Sequence, residues 1–210
     1  MNLSILGQTG SGKTSISNAL FDLNWAIDGA VACTQRVHSH KGAFSYRFMN
    51  THQITWHLND TPGIGESEDA DVSHYSDVLS AFQKADVILW VVQADTRAFA
   101  EDQESIILLT NGGNQIPNAH FVIALNHVDK VHPVNWNEEL NCPSDQQVEI
   151  ICQKIELVFE RFSTYLPIKK NNIVPCSAAK KYGLTELVNT LVIGVVDKLR
   201  THPRRMKLDF

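Results

Sequence analysis

Leu3-Ser4-Ile5-Leu6-Gly7-Gln8-Thr9-Gly10-Ser11-Gly12-Lys13-Thr14 joins a short apolar run to a Gly-rich turn that ends in Lys-Thr. Ser15 to Phe21 then continues with helical spacing. The turn fits G-x-x-x-x-G-K-[ST] without a substitution, and strand, turn and helix are the context that pattern requires. Its glycines let the backbone curl so that successive N–H groups face phosphate oxygens, with the positive end of the helix behind them. Lys13 would neutralise the outer phosphates and the Thr14 hydroxyl would bind magnesium. Gln8, Thr9, Gly10, Ser11, Gly12, Lys13, Thr14 and Ser15 are the candidate phosphate-binding residues.

Working outward, strand-like runs alternate with amphipathic helical stretches. Phe44–Met49 and Gln53–Asn59 read as neighbouring strands, and in the second Ile54, Trp56 and Leu58 alternate with polar residues. Val87–Val92 and Phe121–Leu125 are apolar without alternation, as strands covered on both faces should be. Ile173-Val174 is a shorter case. Helices are predicted at Lys13–Phe21, Ser76–Ala85, Ala100–Thr110, Gln146–Tyr165 and Leu184–Leu199, and Ser144 with Gln147 can cap the fourth reciprocally. The alternation implies a mostly parallel sheet with helices on both faces. One α/β domain over residues 1–200 is expected, with an insertion loop at about 131–143 and a basic tail at 201–210.

Composition narrows the function. Hydrophobic residues make up 43% of 210 and charged residues 20%, which excludes a disordered chain. With 18 Lys and Arg against 23 Asp and Glu the net charge is −5, which argues against nucleic-acid binding through a basic face. Cys33, Cys142, Cys152 and Cys176 show no paired spacing, so neither a disulfide framework nor a structural zinc site is expected. Met1–Leu6 lacks the basic region and cleavage site of a signal peptide, so none is expected, and with no apolar run of membrane-spanning length a cytoplasmic location is expected.

Asn59-Asp60-Thr61-Pro62-Gly63 closes the strand that carries Trp56. An Asp at a strand's carboxyl end beside the phosphate loop can hold magnesium through water, and the Gly63 N–H can sense a γ-phosphate. Together with the phosphate loop, Asp60–Ser67 (D-T-P-G-I-G-E-S) makes the chain resemble a small P-loop GTPase of the translation-factor-related class. The segment is most similar to the Era, Der and MnmE branch and to the bacterial "50S ribosome-binding GTPase" proteins. The resemblance runs from Leu3 to about Leu199. It implies a three-layer Ras-like fold with a six-stranded, mostly parallel sheet, and GTP or GDP with magnesium as ligands.

Under that resemblance Asn126-His127-Val128-Asp129 stands where the family has N-K-x-D. The Asp129 carboxylate would accept two bonds from guanine, which adenine cannot supply, and an unpaired buried carboxylate rejects the wrong base. Asn126 would tie this loop to the phosphate loop. His127 departs from the family Lys and either stacks on the base or is exposed. Ser177-Ala178-Ala179 resembles the S-A-K segment, with the Ala178 N–H directed at guanine O6. Thr34, the only Thr between Ser15 and Thr51, is the candidate for completing magnesium coordination with Thr14 and Asp60. Lys13, Thr34 and Gly63 are the catalytic candidates. Ile64 replaces the Gln that Ras-type enzymes use to orient water, which implies slow intrinsic turnover. The expected activity is GTP hydrolysis by a switch protein, with a ribosomal subunit or ribosomal RNA as target. Two alternatives stay open: a GTP-dependent self-assembling module with a nucleotide-dependent dimer, and a GDP-binding pseudo-GTPase.

Overall fold

The computed structural model describes residues 1–25, 38–44, 54–61, 72–96 and 99–201. Thr34, Gly63, Ile64, the tail from 202, and residues 45–49 of the strand expected at Phe44–Met49 lie outside the described residues.

Six strands form one sheet: β1 Asn2–Leu6, β2 His38–Phe44, β3 Ile54–Asp60, β4 Val87–Gln93, β5 His120–Asn126 and β6 Ile173–Pro175. Their spatial order is β2-β3-β1-β4-β5-β6. All neighbours pair in parallel except β2, which lies antiparallel to β3 and forms one edge. Among the described residues the second strand covers His38–Phe44, so it begins six residues before the expected start at Phe44. As an edge strand it needs no continuous apolar run, and its sequence, H-S-H-K-G-A-F, carries none. The helices are α1 Lys13–Phe21, α2 Val72–Lys84, α3 Ala100–Leu109, α4 Asp145–Phe162 and α5 Leu184–Thr201.

The sheet separates two apolar cores, and β4 serves both. Val87, Leu89 and Val91 join Leu3, Ile5, Trp56 and Leu58 on the face covered by α1 and α5, through Ile16, Leu187, Leu191 and Val195. Ile88, Trp90 and Val92 join Ile123 and Leu125 on the face covered by α2, α3 and α4, through Phe82, Ile106, Val158 and Phe162. No residue from Val87 to Val92 is exposed to solvent, which explains the absence of alternation. At the end of the sheet away from the phosphate loop, a Cβ at Gly194 would fall 1.9 Å from the His120 ring. Only glycine lets α5 lie that close to β5.

Because β1, β3, β4, β5 and β6 run in parallel, their carboxyl ends meet at one edge. Gly7, Asp60, Asp95, Asn126 and Ser177 all emerge there, as a crevice in an open α/β sheet requires.

Candidate nucleotide-binding site

The loop from Gly7 to Gly12 passes from β1 into α1 with Gly7, Gly10 and Gly12 at positive φ. Gly12 is the N-cap of α1, and no side chain bonds to the first-turn amides from it. α4, in contrast, has a full capping box between Ser144 and Gln147. A helix start without a side-chain cap, with a backbone loop folded before it, has donors to offer an anion. The Lys13 side chain is buried, and its ammonium donates to the carbonyls of Gly7 (3.1 Å) and Gln8 (3.0 Å). These bonds hold the charge on the loop itself. Ser11 Oγ is buried with no hydrogen-bond partner.

Thr14 Oγ1 donates to Asp60 Oδ2 at 3.0 Å, so the end of β3 touches the first turn of α1. A hydroxyl and a carboxylate are hard oxygen donors of the kind magnesium selects, and they converge beside the phosphate loop. Among the described residues no cluster of three or more His, Cys, Asp or Glu could hold a metal.

The base loop leaves β5 at Asn126, whose side-chain amide joins three segments. Its Nδ2 donates to the Ser11 carbonyl (2.9 Å), and its Oδ1 accepts from the Ala178 N–H (3.1 Å). The amide also fills the space a side chain at residue 12 would need, since a Cβ on Gly12 would lie 2.3 Å from Asn126 Nδ2. The Ala178 hydrogen expected at guanine O6 is thus directed to Asn126 here. Asp129 follows in a short 3-10 turn, Val128–Lys130, and its Oδ1 is buried without a hydrogen-bond partner. A native fold rarely leaves a buried carboxylate oxygen unpaired, and guanine N1 and N2 are donors of the type it lacks.

His127 adopts a left-handed conformation, with Nδ1 3.6 Å from Asp95 Oδ1 and a side chain only 16% exposed. Its ring lies against the phosphate loop at Gly12. Burial, then the Lys130 charge, holds its pKa below the ordinary histidine value, while Asp95 and Asp129 pull the other way. Cys176, just before Ser177, is fully buried. Burial foremost, with the Asp129 charge adding, pushes its thiol up to about 12, so it is a packing residue rather than a nucleophile.

Several supporting contacts were not readable from the sequence. The Gln8 side chain turns to α3, donating to the Glu101 carbonyl (2.9 Å) and Ser105 Oγ (2.8 Å). Asp102, buried in the same helix, accepts from Trp90 Nε1 (2.9 Å) and from the Gln8 backbone N–H. Gln147, recognised as a cap, also donates from Nε2 to the carbonyls of Val131 (2.9 Å) and Asp129 (3.4 Å), bracing the base loop from below. Its missing apolar partner inside an amphipathic helix was the available signal. Gln147 is fully buried.

The sequence model of the family described as "50S ribosome-binding GTPase" matches residues 2–127, from β1 to His127, two residues short of Asp129. The chain belongs to this GTPase family. Among curated relatives, it is 30% identical to the uncharacterised protein YfjP of Escherichia coli K12, over 79% of this chain and 54% of that one. It is 25% identical to the tRNA modification GTPase MnmE of Nitratiruptor, over 77% of this chain and 35% of that one. The chain spans about half the length of the first curated relatives it matches.

Solved structures share its fold. Aquifex aeolicus Era bound to GDP·AlF4− superposes with a TM-score of 0.64 at 23% identity, over 91% of this chain and 56% of that one. Era with MgGDPNP and a segment of 16S ribosomal RNA gives 0.65 at 24%, over 91% and 55%. Both likenesses support the six-stranded Ras-like architecture of this chain. No helix among the described residues is long and apolar enough to cross a membrane.

Proposed function

We propose that residues 1–200 form a G domain that binds GTP and GDP with magnesium and hydrolyses GTP slowly as a switch. One observation carries the base assignment: Asp129 Oδ1 is buried and unpaired in a loop that Asn126 ties to the phosphate loop. Guanine offers that oxygen the donors it lacks, whereas adenine leaves it orphaned, and a site with buried polar groups rejects such a ligand strongly.

Lys13 would exchange its loop carbonyls for β- and γ-phosphate oxygens. The Gly7–Ser15 backbone would donate to the same phosphates, with Thr14, Asp60 and Thr34 holding the cation. Magnesium supplies charge neutralisation on the phosphates when bound. Ser177, Ala178 and Ala179 would line the base, and the ring of His127 would shield it beside Gly12. Gly63 would report the γ-phosphate. With Ile64 in place of a water-orienting Gln, a second group must assist hydrolysis, and transition-state charge stabilisation from outside contributes about 10³- to 10⁵-fold. The family description and the RNA-bound Era structure support a ribosomal subunit or ribosomal RNA as the target of the GTP state.

Calorimetric titration of nucleotide-free protein with GDP, GTPγS and ADP, in magnesium, tests the reading. Both guanine nucleotides should bind and ADP should not. Equal binding of ADP refutes the Asp129 assignment, and absence of guanine binding by folded protein refutes the function. Co-sedimentation with ribosomal subunits in GTPγS but not GDP tests the target.

A further inference from the structure

Residues 131–143, the insertion between β5 and α4, are fastened to the loop that follows β6. Asn137 and Cys142 pair antiparallel, with mutual backbone bonds of 3.0 and 3.2 Å, closing a six-residue turn. Ser177 and Tyr182 pair in the same way at 3.0 and 3.0 Å, closing a second six-residue turn that contains Ala178 and Ala179. The two turns are joined by three links. Asn141 Nδ2 donates to the Lys180 carbonyl at 2.9 Å. Lys180 Nζ donates to both carboxylate oxygens of Glu138, at 2.7 and 2.8 Å. The Trp136 ring meets Tyr182 edge-on at 5.3 Å and donates from Nε1 to Asn141 Oδ1 at 3.3 Å.

The 177–182 turn is thereby held from two sides. On the inner side the Ala178 N–H is bound by Asn126, which also holds the phosphate loop. On the outer side nothing of the G-domain sheet reaches Lys180 among the bonds described; the insertion does. We propose that the 137–142 turn is a clasp on the 177–182 turn that sets how long a guanine nucleotide stays bound, with Asn141 and Glu138 as positioning residues. The inference rests on the guanine-binding reading above.

Magnitudes rank the three links. The Glu138–Lys180 pair is exposed, with the Glu138 side chain 71% accessible, so solvent screens it and its share is small. The Asn141 amide bridges Trp136 and Lys180 and fixes the geometry of both, so its loss removes a bond to the 177–182 turn and loosens the ring contact. Asn141 also sits at φ 47°, where glycine is the one replacement that keeps the backbone unstrained while deleting the amide.

The test loads the full chain with N-methylanthraniloyl-GDP in magnesium and follows its release on adding excess GDP. Asn141→Gly should speed release about fivefold, the effect of losing one net hydrogen bond. Glu138→Gln, on a surface side chain that cannot threaten folding, should speed it by about twofold or less, and adding it to Asn141→Gly should give no less than Asn141→Gly alone. Glu139→Ala, beside Glu138 but outside the clasp, should release at the wild-type rate. Single-turnover hydrolysis of GTP already bound should be unchanged in all four variants, which separates retention from chemistry. Release at the wild-type rate from Asn141→Gly, or an equal acceleration by Glu139→Ala, overturns the proposal while leaving the guanine site standing. Failure of the wild-type chain to retain any GDP overturns the guanine reading itself.

Discussion

Replacing Asp102 by Asn removes a carboxylate that α3 holds almost out of water, 6% exposed, under the phosphate loop. Burial is the largest influence and raises its pKa from 3.8 to about 6. The Trp90 bond, the Lys13 charge and the Gln8 N–H pull it down, and Glu101 adds a small rise. Folded protein therefore keeps a proton on Asp102 at a pH where the unfolded chain has released it. Stability from this group is complete below pH 3.8 and is lost as pH climbs through about 6. The loss totals about 3 kcal/mol from acid to neutral pH, and roughly half of it falls between pH 5 and pH 8.

Asn is nearly isosteric, can accept from Trp90 Nε1 and has no charge to desolvate. Denaturant or thermal unfolding of nucleotide-free Asp102→Asn and wild type should thus diverge in the variant's favour by that amount between pH 5 and pH 8. For a chain of this length it is a change in the difference of melting temperatures of about 3 to 5 °C. A stability difference that stays flat across the same range refutes the argument, because a packing change alone would not titrate.

Gly12→Ala should abolish measurable GDP binding and destabilise the protein by about 1 to 3 kcal/mol, since its Cβ would meet Asn126 Nδ2 at a positive φ. Native-like affinity in calorimetry would refute the coupling of the two loops. Asp129→Ala should weaken GDP by about 30- to 150-fold through loss of charged hydrogen bonds, without a matching loss in melting temperature. Unaltered GDP affinity refutes its role. Thr14→Ala should make GDP release insensitive to EDTA, whereas wild type should release faster when magnesium is chelated; identical EDTA responses count against Thr14 as a ligand.

The parts of this fold that were legible in the sequence are local ones. The phosphate loop is a contiguous pattern, β4 and β5 declare their burial by unbroken apolar runs, and Ser144 with Gln147 caps α4 as their spacing implies. The His38–Ala43 part of β2 was missed because an edge strand obeys weaker composition rules, and the aromatic run beginning at Phe44 carried the stronger local signal. α2 starts four positions earlier than its amphipathic pattern, at Val72. The supports of the site were hidden for a different reason. Gln8 to α3, Asp95 to His127 and Asn141 to Lys180 each join residues far apart in the chain, brought together only by sheet order. Of the two readings of His127, stacked on the base or exposed, exposure is the one the structure overturns: the side chain is 16% exposed and faces Asp95 beside Gly12.

β4 contributes alternate residues to both cores, and that has a consequence for how the molecule comes apart. Neither helical layer can melt while the other stays native, because loosening Val87, Leu89 and Val91 frees the same backbone that seats Ile88, Trp90 and Val92. The two sides therefore unfold in one transition, and the β4 amides, flanked by β1 and β5, open to solvent only when the whole domain does. Their hydrogen-exchange rates at the slow limit are a direct reading of the global free energy of this chain.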